Sequence, residues 1–213
     1  MHGVIILKKK YAAILIKTGF TLALLLAVVL SVHGLWEKWY VPLIAQAKPE
    51  FIFSETVLVN KEHQIPVDYS PELVQIEGIS LHKAAAASWK RMSEAAEANG
   101  ITLRPTLGFC SPDESLRDIS GESSGLQQSC KTPAFQNEHN IGLAVDVSLD
   151  DAAQEWLEQN MYKYGFVLRY SKQKEAVTGV TAQPHHLRFV GTQAAKMMTK
   201  KKLSLEEYLN SLQ

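Results

Sequence analysis

Three residues in the second half of the chain have side chains of the types that bind a catalytic metal. His139 and Asp146 lie on either side of Gly142, and His186 follows further along. Two imidazoles and one carboxylate leave a fourth position for water, as is typical of catalytic zinc. Such a metal polarises a carbonyl group and lowers the pKa of water to about 7. These residues predict a zinc site, although isolated histidines are more often structural or exposed.

Two predicted strands would position these residues. Because side chains alternate along a strand, Asp146 shares one face of 142–149 with small residues, and this leaves room above the sheet. The opposite face is apolar: Leu143, Val145 and Val147. A carboxylate on the roomy face needs a partner, because burying a lone charge is costly. The same alternation in 186–190 predicts that His186 faces the metal and that His185 points away.

Predicted helices and strands are mixed along the rest of the chain without regular alternation, which favours an α+β fold over a doubly wound sheet. Pro105 suggests that one predicted strand, 101–107, lies at a sheet edge. The predicted helices cover 82–99, 113–119, 151–164 and the segment from Thr192 onward, and the other predicted strands cover 56–59 and 166–170.

The composition is that of a globular protein. The chain has 213 residues, of which 46% are hydrophobic and 21% charged, and this excludes a wholly disordered chain. Its 22 basic and 22 acidic residues give a net charge of zero, which argues against nucleic-acid binding. However, residues 1–17 hold four lysines and no acidic residue, so the remainder is net acidic.

An apolar run after these lysines predicts a membrane anchor. Residues 18–36 carry no charged side chain and are about long enough for a helix across a bilayer, which needs roughly 20 residues. The positive-inside rule places the N-terminus in the cytoplasm. The predicted organisation is a cytoplasmic segment 1–17, a transmembrane helix 18–40, a linker 41–57 and an extracytoplasmic domain 58–213. Two alternatives are a signal peptide cleaved near residues 45–47, giving a secreted protein, and a buried core helix.

Several motifs in order resemble those of the VanY-type D-alanyl-D-alanine carboxypeptidases, zinc enzymes that trim peptidoglycan stem peptides. Residues 139–146 read HNIGLAVD and match the family's HxxGxAxD, whose His and Asp bind zinc. Residues 183–191 read QPHHLRFVG beside the family's EPWHxRxVG, whose His is the third ligand. Residues 164–170 and 205–209 also resemble family segments, so the resemblance covers about 58–209.

This resemblance implies a fold, a cofactor and a substrate. The fold would be a small antiparallel sheet with flanking helices and a groove that holds zinc through His139, Asp146 and His186. The reaction would be hydrolytic removal of a C-terminal D-alanine from a peptidoglycan stem peptide. A wall substrate implies a bacterium, with the protein anchored in its cell membrane.

The departures from the family pattern fall on the catalytic and substrate-binding positions. Gln183 replaces the glutamate that serves as general base, and an amide cannot accept a proton at neutral pH. Loss of a general base typically costs about 10²–10⁴-fold in rate. Cys110 and Ser111 stand where the family has Arg-Ser, so the substrate-binding arginine is missing. Asn137 and His185 replace a serine and a tryptophan beside the ligands.

Three residues are alternative bases: Glu138, Glu175 and His185. The two glutamates have counterparts in ordinary family members, where they are not the base. Histidine is the residue type best suited to proton transfer near neutral pH, but alternation directs His185 away from the metal.

The chain has two cysteines, Cys110 and Cys130, and disulfides persist in exported proteins. A bond between them would close a loop across the polar segment and pin one wall of the groove. Two free thiols, or Cys110 as a zinc ligand, are the alternatives.

The sequence therefore leaves two functional hypotheses open. One is a membrane-anchored zinc carboxypeptidase in which Gln183 positions the water. The other is an inactive, zinc-retaining homologue that binds wall peptides or a protein partner, as in the hedgehog signalling domain, which resembles this family and keeps a zinc site without known proteolysis.

Overall fold

The computed structural model describes residues 29–31, 53–115 and 133–213. Residues 29–31 are helical and exposed, and the other described residues belong to a compact unit, Phe51–Gln213. Among the described residues, no helix is both long and apolar enough to cross a membrane. The predicted transmembrane segment 18–40 lies outside the described residues except for 29–31.

The fold of this unit is α+β with two antiparallel sheets, as expected. The strands are β1 (Leu73–Ile76), β2 (Ile79–His82), β3 (Arg104–Leu107), β4 (Ala144–Ser148), β5 (Phe166–Tyr170) and β6 (Gln183–Phe189). The α-helices are α1 (Lys83–Glu97), α2 (Asp151–Asn160), α3 (Glu175–Thr178), α4 (Thr192–Lys201) and α5 (Leu205–Asn210). Short 3₁₀ helices cover Glu138–Ile141, Met161–Tyr164 and Lys172–Lys174.

A four-stranded sheet in the order β3-β4-β6-β5 carries the motifs, and all its neighbouring strands are antiparallel. The strand β3 lies at its edge, as Pro105 predicted. One face of the sheet packs on α1 in the main core, where Trp89 meets Phe166 edge to face at 6.1 Å. The predicted apolar face of β4 belongs to this core, with Leu143, Val145 and Val147 all buried. Asp146 is thereby held on the opposite face.

The predicted strand 56–59 is wrong, although Val59 is buried in the core. Its backbone forms a turn, in which the Val57 N–H donates to the Ser54 carbonyl at 3.1 Å. The Val57 carbonyl accepts a hydrogen bond from the Arg188 guanidinium at 2.8 Å. A buried side chain therefore satisfies the backbone hydrogen bonding of this segment, and no neighbouring strand in the described part of the chain does so.

The hairpin β1–β2 is a feature that the sequence did not lead us to expect. Its two-residue loop is Glu77-Gly78, and both residues have positive φ, +48° and +85°. This is the backbone that tight hairpins favour, because its twist matches that of the strands. The predicted helix 151–164 is also divided, since α2 ends at Asn160 and a 3₁₀ turn continues to Tyr164.

Candidate metal centre and its cleft

His139 is placed by a short 3₁₀ helix with defined ends. The Asn137 side chain accepts a hydrogen bond from the His139 N–H at 3.0 Å and begins the helix. Gly142 ends it with φ of +70°, and a Cβ there would lie 2.7 Å from the His82 nitrogen. The His139 ring donates from Nδ1 to the Gly108 carbonyl at 2.6 Å. Its Nε2 is consequently left for the metal side, 3.4 Å from Asp146 Oδ1.

Asp146 and His186 meet because β4 and β6 pair in the register that makes them direct partners. Directly opposed residues of an antiparallel pair have neighbouring side chains on one face. The distance between His186 Nδ1 and Asp146 Oδ1 is 2.9 Å. The rings of His139 and His186 lie edge to face, with centroids 4.9 Å apart.

These three side chains fit a zinc ion. Each offers one ligand atom, all three atoms lie within 4.8 Å of one another, and all three residues are buried. Zinc prefers imidazole nitrogen and carboxylate oxygen in this number when a fourth position stays open. The ring nitrogens that face away also have partners, the Gly108 carbonyl for His139 and the Glu138 carboxylate, 3.4 Å away, for His186. Such outer contacts fix the tautomer and orientation of metal-binding histidines.

Buried arginines lower the pKa of Glu138, and the two histidines lower that of Asp146. Burial by itself would raise the pKa of the Glu138 carboxyl, but Arg169 and Arg188 outweigh it and hold that pKa well below its usual range. Burial likewise opposes ionisation of Asp146, yet hydrogen bonds from His139 and His186 lower its pKa. The Glu138 carboxylate contacts Arg169 Nε at 2.7 Å and Arg188 Nη1 at 2.9 Å. Sequence reasoning assigned no role to these arginines, although Arg188 alternates with His186 and Arg169 interrupts an apolar strand.

A cleft of about 1100 Å³ opens over the three candidate ligands. Gln183, at the start of β6, lines it together with Tyr170, its partner on β5. The Tyr170 ring lies 5.1 Å from that of His186, and burial raises the pKa of its hydroxyl. Residues of α3 and α5 complete the wall.

Two of the predicted substrate-binding residues, Asn137 and His185, also line this cleft. Alternation had directed His185 to the other face. The register between β5 and β6 shifts between Leu168 and Tyr170, and this irregularity interrupts alternation near the start of β6.

Cys110 and Ser111 do not line the cleft within the part of the chain that the structure describes. Cys110 is 1% exposed and disulfide-bonded. The chain's other cysteine, Cys130, lies outside the described residues. The alternative of Cys110 as a zinc ligand does not fit, because a disulfide sulfur is not a thiolate. Ser111 instead contacts Glu114, whose carboxylate accepts from the Ser111 N–H at 2.7 Å.

The sequence profile of the VanY family, described as D-alanyl-D-alanine carboxypeptidase, matches residues 78–192. The chain belongs to this family. The matched range contains all three candidate ligands and Gln183, so the family assignment and the cleft concern the same part of the molecule. Two antiparallel sheets with flanking helices are accordingly the family's architecture in this chain.

Known proteins agree with this assignment. A D-alanyl-D-alanine carboxypeptidase of Enterococcus faecalis is 30% identical over 175 residues, which are 73% of this chain and 65% of that protein. The chain thus spans about two thirds of that relative's length. The structure of VanYB in complex with D-alanine-D-alanine superposes with a TM-score of 0.66 at 28% identity, over 75% of this chain and 99% of the other.

A second solved VanY structure bears on the metal. It is a mutant D,D-pentapeptidase from a VanB-type resistance cassette in complex with Zn(II), with a TM-score of 0.64 at 28% identity over 73% of this chain and 98% of that one. Together with the buried His-Asp-His cluster of this chain, it identifies zinc as the cofactor.

Proposed function

We propose that this protein binds the D-alanyl-D-alanine ends of peptidoglycan stem peptides at its zinc site and hydrolyses them far more slowly than a relative with glutamate at position 183. The observation that carries the proposal is the contrast within one cleft. The three candidate ligands converge, whereas the side chain at the base position is the amide of Gln183. The substrate class rests on family membership and on the D-alanine-D-alanine complex of the relative VanYB.

Zinc, when bound, would polarise the scissile carbonyl and acidify a water. The Gln183 amide can orient such a water through a hydrogen bond, but it holds no basic site that takes up a proton at neutral pH. Proton removal and its return to the leaving amine would both lack their usual carrier. We expect the loss to be about 10²–10⁴-fold in rate.

Three carboxylates in this part of the molecule are already engaged in other contacts, which supports slow turnover. Glu138 is held by two arginines. Glu206 accepts two hydrogen bonds from Arg169. Glu175 accepts from the Ala182 N–H at 2.8 Å. His185 and Glu62 also line the cleft, so an experiment must exclude each of them as a substitute base.

Membrane attachment is part of the proposal. Four lysines precede an uncharged apolar run of about the length that spans a bilayer. An anchor of this orientation would hold residues 58–213 outside a bacterial cell, where wall peptides are exposed. Secretion after signal cleavage would give the same domain the same substrate.

Peptide binding by the zinc-loaded full chain tests this function. Calorimetric titration with a stem pentapeptide ending in D-Ala-D-Ala should give saturable binding. The matched control ends in L-Ala-L-Ala, and a second control uses protein stripped of zinc by a chelator. Binding that ignores both the stereochemistry and the metal would refute wall-peptide recognition at this site and favour a partner-binding role.

A further inference from the structure

A chain of buried ion pairs connects the candidate ligand His186 to the C-terminal helix α5. Glu138 Oε2 lies 3.4 Å from His186 Nε2, and Glu138 Oε1 accepts from Arg169 Nε at 2.7 Å. The same guanidinium donates through Nη1 and Nη2 to the two oxygens of Glu206 on α5, at 3.1 and 2.7 Å. The side chains of Glu138 and Arg169 are each 1% exposed, and that of Glu206 is 16% exposed.

The geometry points to Arg169 and Glu206 as positioning residues of the zinc site. Arg169 fixes the Glu138 carboxylate as the acceptor for His186 Nε2, and Glu206 fixes Arg169 from the far side. The Nδ1 of His186 is then held towards Asp146, where a metal would bind. This inference rests on zinc binding by the three candidate ligands, but it does not depend on peptide recognition.

The shape of the arginine explains why three elements can be joined. A guanidinium presents donors on several sides in one rigid plane, so a single Arg169 serves two carboxylates at once. Arg169 lies on β5, Glu138 precedes β4 and Glu206 lies on α5. A lysine at position 169 has a single nitrogen, so it could not reproduce the two-nitrogen contact with Glu206 together with the contact with Glu138.

The balance of buried charges predicts how zinc affinity should change when Glu206 is replaced. Glu138 and Glu206 offset the two buried cations, Arg169 and Arg188. Loss of the Glu206 charge would leave an excess positive charge in a weakly screening interior, close to where a divalent cation binds. Zinc affinity should therefore fall even though no ligand is altered.

A second ion pair also holds helix α5, but it does not belong to the chain of buried ion pairs, and it therefore provides the matched control. Lys174 Nζ lies 2.7 Å from Glu207 Oε2, next to Glu206 in sequence. Lys174 has no contact with Glu138 or Arg169 among the interactions of the described residues. Its replacement loosens α5 but leaves the ion pairs behind His186 in place.

The experiment compares zinc binding by full-length Glu206→Gln and Lys174→Gln proteins. Zinc affinity is measured by competition with a chromophoric chelator, and the site geometry is read from the visible absorption of the Co²⁺-substituted protein. We expect about tenfold weaker zinc binding and a changed cobalt spectrum for Glu206→Gln, and less than a twofold change with an unchanged spectrum for Lys174→Gln. Glu138→Gln, which removes the direct partner of His186, should lose about 10–100-fold.

Two further outcomes separate the possibilities. Glu206→Asp keeps the charge on a shorter arm and should fall between wild type and Glu206→Gln, which provides a milder variant if the amide impairs folding. Equal zinc affinity and cobalt spectra for Glu206→Gln and Lys174→Gln would overturn the inference while leaving the zinc site intact. A wild-type protein that binds no zinc would overturn the inference and the proposed function together.

Discussion

The three candidate ligands and the side chain at position 183 differ in how firmly the fold holds them. Asp146 and His186 face each other within paired strands and are buried, and His139 is fixed by a capped 3₁₀ turn. Gln183, in contrast, is the first residue of β6, beside an irregular register. Metal geometry thus follows from core strand pairing, whereas the group at the base position lies at a strand end.

This difference shows how the two properties can separate. A change from Glu to Gln at a strand end alters one atom of a side chain and leaves the β4–β6 register untouched. A change at Asp146 would remove a hydrogen-bond acceptor shared by two buried histidines. A substitution at position 183 can therefore leave the three candidate ligands in place.

The largest expected effect is a gain of hydrolysis in Gln183→Glu. A carboxylate at this position restores a proton acceptor beside the metal, so D-alanine release from a stem pentapeptide should rise about 10²–10⁴-fold over wild type. Gln183→Ala is the matched control and should show no gain. A Gln183→Glu protein that binds zinc and peptide yet stays at the wild-type rate would mean that another missing group limits catalysis.

The Asp146→Asn substitution should weaken zinc binding. The amide cannot replace the charged ligand, so we expect zinc affinity to fall by more than the roughly 10–100-fold typical of outer-shell changes. Wild-type protein should gain about 2.7 kcal/mol of unfolding free energy at a zinc concentration of 100 Kd, and the variant should gain little at that concentration. Denaturant melts with and without zinc measure both values, and equal zinc stabilisation of the two proteins would refute the ligand assignment.

Gly142→Ala tests whether the turn after His139 is as constrained as it looks. Its φ is +70°, and an added Cβ would lie 2.7 Å from the His82 backbone nitrogen, which donates to the Gly142 carbonyl. We expect a loss of about 1–3 kcal/mol in unfolding free energy, measured by urea melts of zinc-free protein. Gly179→Ala is the control, because it shares the positive φ but has open space around its Cβ. Equal losses for the two would show that backbone conformation alone, and not crowding, sets the cost.

The smallest effect concerns acid sensitivity away from the zinc site. His82 begins α1 by accepting a hydrogen bond from the Ala84 N–H at 3.3 Å through Nδ1, which requires the neutral ring. Burial, with the nearby Lys83 charge, lowers the pKa of His82 below 6.5. This contribution to stability is therefore complete above pH 6.5 and is lost as the pH falls through the lowered pKa.

The check is the difference between wild type and His82→Asn, since asparagine also caps helices. Unfolding free energies of zinc-free protein between pH 7 and pH 5 should fall more steeply for wild type. Contributions to the pH dependence that the two proteins share cancel in the difference. A difference that does not change with pH would rule out this role for His82.

Sequence reasoning selected the three candidate ligands, which the structure brings together, because their motifs carry both residue type and strand periodicity. It found the α+β class and the edge strand at Pro105 for the same reason, since these depend on local pattern. It missed the β1–β2 hairpin, although Glu77-Gly78 between two apolar stretches is a recognisable turn signal. The error at 56–59 arose because an apolar run reads as a strand, while the partner that satisfies its backbone is Arg188, far along the chain.

The buried ion-pair chain was beyond such reasoning for a different physical reason. Glu138, Arg169 and Glu206 are spread over about seventy residues, and nothing in their spacing shows that one guanidinium contacts both acids. His185 lines the cleft together with His186, which strict alternation does not predict, because alternation assumes an unbroken ladder and the β5–β6 register shifts. Both the ion-pair chain and the position of His185 depend on tertiary contacts, which residue spacing does not show.

The central claim is that this cleft holds zinc and wall peptide but lacks a proton acceptor. The most direct test is the steady-state rate of D-alanine release by the zinc-loaded wild-type protein at saturating stem pentapeptide. We predict a rate at least about a hundredfold below the lower end of the range of 1–10³ s⁻¹ that is usual for enzymes. Turnover within that usual range would contradict the account and would mean that His185 or another group performs the proton transfer.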